Sequence, residues 1–97
     1  MFLSYQRVDA TAVVKTAADL TIPAKATHVE LQADGGDVLY TMDDTTSPST
    51  AAPAGMRLQN GLRPETFLIE DLKRIKFVGE AATGSALSLH YFAGRDI

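Results

Sequence analysis

The sequence predicts an all-β fold, a small β-sandwich or jelly roll of about seven to eight antiparallel strands. Three observations carry this. Apolar and polar residues alternate with period two in several short stretches, the mark of half-buried strands. Turn signals recur about every ten residues, the spacing of a sandwich or barrel. Glycines fall almost entirely between those stretches, where positive φ is useful, and not within them.

Residues 26–33 alternate without a break, with Val29, Leu31 and Ala33 on one face and His28, Glu30 and Gln32 on the other. Asp34-Gly35-Gly36-Asp37 follows and predicts a tight hairpin turn into 38–42, where Val38, Tyr40 and Met42 share a face. Residues 43–54 are small, polar and carry two prolines, so they read as a long surface loop. Residues 55–59 form a short alternating strand, Asn60-Gly61 a turn, and Pro64 is barred from a central ladder position. Residues 65–69 are a strand with Phe67 and Ile69 pointing the same way. Residues 70–74 have helix-friendly composition but are too few for a stable helix, and so read as one linking turn. Residues 75–79 place Ile75 and Phe77 inward, and 85–92 place Leu87, Leu89 and Tyr91 inward after a turn at 80–84. Toward the N-terminus, 2–8, 11–15 and 20–23 read as strands, the last ended by Pro23. A helix over 11–20 is disfavoured, because Thr and Val lose side-chain freedom there. This first quarter, 1–25, reads as an extended arm or as edge strands.

At 97 residues there is room for one domain, 1–97, and not for a two-domain enzyme. Apolar runs are too short for a membrane-spanning helix. The first residues lack the basic and apolar regions of a signal peptide. Cysteine is absent, which removes disulfides and thiolate metal sites. Nine basic against twelve acidic residues give a net charge of −3, which argues against nucleic acid. The densest basic stretch, Lys73 to Lys76, follows Glu70 and Asp71 and is partly cancelled by them.

No nucleophile–base or paired-carboxylate pattern stands out, and no nucleophile elbow, zinc-binding helix or phosphate loop is present. His28 and His90 both lie on polar phases, as exposed or interface residues. Asp34, Asp37, Asp43 and Asp44 have the oxygen ligands calcium uses, but turns demand the same residues and the two pairs lie a strand apart. No cofactor is expected. Tyr40, Phe67, Phe77 and Tyr91 sit on apolar phases and belong to the core, whereas Tyr5 and Phe92 do not. Bulk on both phases of one strand is the remaining signal: Leu39 beside Val38 and Tyr40, Leu68 beside Phe67 and Ile69, Val78 beside Phe77, Phe92 beside Tyr91. A sandwich buries one face per sheet, so the surplus predicts contact with a partner.

The run Gly36 to Ser49, Gly-Asp-Val-Leu-Tyr-Thr-Met-Asp-Asp-Thr-Thr-Ser-Pro-Ser, resembles a pattern in small virion proteins of tailed bacteriophages. In that pattern a Tyr-Thr strand leads into a Ser/Thr/Pro/Ala loop. Gly55-Met56-Arg57-Leu58, then Leu72-Lys73-Arg74-Ile75-Lys76-Phe77-Val78, then Gly84 to Phe92 continue the likeness, which spans about 26–92. Asp44 stands where glycine is usual, and 1–25 match nothing in the pattern. The resemblance implies a non-enzymatic structural role in the virion, assembled in the host cytoplasm: a capsid decoration (cement) subunit, or alternatively a head–tail connector or tail accessory subunit. It implies the major capsid protein or other virion subunits as partners and a homo-oligomer, a trimer first, with no nucleic acid or membrane. Residues 1–8 and 43–54 are the expected reaching elements. The candidate contact residues are Phe2, Tyr5, Leu39, Pro48, Pro53, Leu68, Val78 and Phe92. The competing class is a carbohydrate-binding β-sandwich at a fibre or tail tip, which requires exposed aromatics near convergent Asp, Asn or His.

Overall fold

Eight strands carry the alternation in the computed structural model, which describes residues 1–43, 46–49, 55–80 and 84–94. They are β1 (Phe2–Asp9), β2 (Lys15–Thr16), β3 (His28–Asp34), β4 (Val38–Thr41), β5 (Met56–Leu58), β6 (Glu65–Leu68), β7 (Lys76–Gly79) and β8 (Ala86–Phe92). A 3₁₀ turn, Ala17–Asp19, follows β2, and a single helical turn, α1 (Ile69–Leu72), follows β6. Two four-stranded sheets result, ordered β1-β8-β3-β6 and β2-β7-β4-β5, and every pairing is antiparallel.

The core is the meeting of the two inner faces. In the first sheet Val29 stands opposite Tyr91, Leu31 opposite Leu89 and Ala33 opposite Leu87, and all six are buried. Val38, Tyr40 and Phe77 face them from the second sheet, with Leu58, Ile69, Leu72 and Ile75 in the same cluster. Each large side chain so buried contributes about 1.5–3 kcal/mol relative to exposure. The two core phenols keep polar partners. Tyr91 donates to Gln6 Oε1 (3.0 Å) and Tyr40 to Glu65 Oε2 (3.3 Å). Burial pushes both hydroxyls up to about 12, with the Glu65 charge adding to the effect at Tyr40.

The expected hairpin between β3 and β4 does not form. The two strands lie in different sheets, and Asp34 to Asp37 carries the chain from one to the other. Gly35 adopts φ +74° and passes so close to Gly84 that a Cβ would collide with its carbonyl oxygen. The Gly-Gly pair thus serves an inter-sheet corner and not a two-residue turn. The two strands differ in cover: Val38, Leu39 and Tyr40 of β4 are all buried, whereas β3 buries only alternate residues, Val29, Leu31 and Ala33.

Other expectations change in the N-terminal quarter. Of the two readings of residues 1–8, the edge strand holds and the extended arm does not: β1 pairs with β8 along its length and forms one edge of the first sheet. The strand expected over 11–15 shrinks to Lys15–Thr16, and none forms at 20–23. Three side chains explain this. A capping box, in which Thr16 accepts from Ala18 N and Asp19 from Thr16 N, turns the chain at 16–19. Thr21 N then donates to the Gln6 side chain (3.0 Å) in place of a ladder partner. At 70–74 the expected linking turn is met by α1, whose Ile69 and Leu72 are buried.

Leu39 and Val78 correct the reading of surplus bulk. They stand directly opposite each other on the face of the second sheet turned away from the core cluster, yet are only 4% and 3% exposed. The chain covers them itself, so they are not open contact residues. Pro48 is likewise buried. Pro53 lies outside the described residues, as does part of the 43–54 loop. Of that loop, Asp43 closes a turn by accepting from Thr46 N (2.8 Å) and Thr46 Oγ1 (2.7 Å).

Candidate functional site

The outer face of the first sheet presents chemistry in rows, because residues directly opposite across a ladder share a face. One row runs Phe2, Phe92, His28, Leu68 across β1, β8, β3 and β6. The next runs Tyr5, His90, Glu30, Thr66, and the third Arg7, Ser88, Gln32. Phe2 and Tyr5 are three residues apart and would face opposite ways in a regular strand. The register of β1 shifts between Phe2 and Ser4, and this irregularity brings both rings onto the same face.

Phe2, Tyr5 and Leu68 are 54%, 51% and 53% exposed. Phe2 meets His90 edge-on at 5.6 Å between centroids and Phe92 at 5.9 Å, and Tyr5 meets His90 at 5.1 Å. These edge-to-face contacts hold the four rings as one cluster. His28 is fixed at its Nδ1 by the Thr27 hydroxyl (2.9 Å). β1 is an edge strand, and among the described residues its far side carries no backbone-to-backbone hydrogen bond.

Beyond the Tyr5–His90 row the face dips into a groove of about 320 Å³. Tyr5, His90, Ser88, Glu30 and Gln32 line it from the sheet, and Asn60 from the connection after β5. That connection is tied down at two points. Gln32 Nε2 donates to Leu62 O (3.0 Å), and Asn60 N donates to Asp37 Oδ1 (2.7 Å). Gly61, at φ +82°, makes the bend that brings the chain over the rim. At the far end Arg7 and Asp34 pair at 3.3 Å, both side chains largely solvated.

No family model, curated protein or solved structure matches this chain. The site therefore rests on its own geometry.

Of the residues singled out by sequence, Phe2, Tyr5, Leu68 and Phe92 come together on this one face. Leu39, Val78 and Pro48 do not, and lie buried elsewhere. The four aspartates do not converge either: Asp34 pairs with Arg7, Asp37 caps Asn60, Asp43 closes its own turn, and Asp44 lies outside the described residues. Among the described residues no three His, Asp or Glu side chains come together as a metal site would require. Sequence reasoning missed the meeting of His90 and Glu30 with Tyr5 and Asn60. The polar phase of each strand was readable, but the order β1-β8-β3-β6 that lays those phases side by side was not.

Proposed function

We propose that this chain is a non-enzymatic structural subunit of a tailed-phage virion, a decoration subunit that binds the particle and stabilises it. The observation that supports the reading is the row of Phe2, Phe92 and Leu68 across the open sheet face beside an unpaired strand edge. Association removes such a row from water at about 25 cal/mol per Å² of apolar surface. An open edge adds backbone hydrogen bonds to a neighbour's strand. The partners are further copies of the chain, arranged as a trimer, and the major capsid protein beneath them. The same face would serve equally at a head–tail junction or on a tail, where the partner changes and the contact chemistry does not.

Light scattering during size-exclusion chromatography, repeated with empty capsids, tests this. The expected result is a trimer that co-elutes with capsids. The double substitution Phe2→Ser and Leu68→Ser is expected to give a folded monomer whose capsid binding falls at least about tenfold. A wild-type monomer that ignores capsids defeats the proposal.

A further inference from the structure

The groove beside Tyr5 carries a different inference, independent of assembly. Three side chains lining it have unused hydrogen-bonding capacity. The Glu30 carboxylate and the Asn60 side-chain amide have no hydrogen-bond or ion-pair partner among the described residues. The His90 ring meets Phe2 and Tyr5 through ring contacts, and its two nitrogens have no hydrogen-bond partner among the described residues. Glu30 stands directly opposite His90, so an acceptor and an imidazole lie side by side in the groove lining. The Ser88 hydroxyl, 3.4 Å from the Tyr5 hydroxyl, adds a further donor and acceptor. Tyr5 itself is half exposed at the groove wall.

Charge narrows the occupant. Glu30 and Asp34 line the groove, and Arg7 is already paired with Asp34, so phosphates and other anions are repelled. A lysine or arginine side chain only donates hydrogen bonds, and would leave the Asn60 amide hydrogens without acceptors. A sugar hydroxyl both donates and accepts, which suits a carboxylate, an amide, an imidazole and a hydroxyl set together. The apolar C–H face of a pyranose also has a ring to lie against in Tyr5. The volume is at the small end of the range for ligand sites, which fits one or two sugar rings.

We propose that this groove binds an uncharged mono- or disaccharide, with Tyr5 as the stacking platform and Glu30, His90 and Asn60 as the hydroxyl-binding groups. Saturation-transfer NMR on the full chain tests it, with a panel of glucose, galactose, mannose, N-acetylglucosamine, lactose and maltose. At least one sugar is expected to receive saturation, with millimolar affinity. Glu30→Gln is expected to weaken that sugar at least about tenfold while the thermal melt stays that of the wild type, and Tyr5→Ala to weaken it as much in a chain that still folds. Silence across the panel overturns the proposal, as does a sugar signal unchanged in both variants. Trilysine binding more tightly than every sugar overturns it too, in favour of a basic-peptide site.

Discussion

The outer faces of the two sheets carry similar apolar residues and treat them in opposite ways. On the second sheet Leu39 and Val78 are sealed by the chain, and Arg57, opposite Leu39, spans to Glu80 through two short hydrogen bonds of 2.6 and 2.8 Å. On the first sheet Phe2, Tyr5 and Leu68 stand half in solvent around the two histidines. Bulk on both phases of a strand therefore has two meanings. It marks a doubly covered strand in one sheet and an open face in the other, and local alternation cannot tell them apart.

The largest expected effect comes from placing one charge on each face. Leu39→Asp buries an unpaired carboxylate and is expected to cost more than about 3 kcal/mol. Leu68→Asp meets water and is expected to stay within about 0.5 kcal/mol of wild type. Urea midpoints for the two variants check this, and equal values would erase the distinction. Next is the corner that joins the sheets. Gly35→Ala combines left-handed strain with a backbone collision at Gly84 and is expected to cost about 3 kcal/mol. Gly61→Ala, at φ +82° with open space around the added methyl, is expected to cost about 1 kcal/mol. Calorimetry on the pair separates strain from collision.

The last test concerns the inner faces, where the sheets behave alike. Tyr91 of the first sheet and Tyr40 of the second both have hydroxyls raised to about 12, against about 10 when unfolded. A raised pKa favours the folded state while the phenol is neutral. This contribution is complete below about pH 10 and is lost as pH climbs toward 12. Denaturant melts between pH 8 and 12 are expected to be flat and then to fall. Tyr40→Phe and Tyr91→Phe should each remove part of the fall.

How much of this was legible follows from where the information sits. The inward residues of β3, β7 and β8 were readable because each alternation is local, and Val29, Leu31, Phe77, Leu87, Leu89 and Tyr91 all lie in the core. The all-β sandwich followed from those elements. Pairing was not readable, since Gly35-Gly36 has the same sequence whether it closes a hairpin or rounds a corner. Half of the candidate site was visible as off-phase aromatics, Tyr5 and Phe92. The rest depends on the irregularity in β1 and on the sheet order, neither of which has a signature in neighbouring residues.

The order of the first sheet also has a consequence during synthesis. β8 lies between β1 and β3, so until the last strand is made β1 has no partner in the sheet and β3 has only β6. Phe2 pairs with Phe92, almost the whole described chain away. On the ribosome the first sheet cannot close strand by strand, and an N-terminal segment bearing Phe2, Leu3 and Tyr5 waits in solution for its neighbour. Long-range pairing of this kind slows folding and leaves sticky intermediates exposed. Chains shortened before β8 are expected to aggregate.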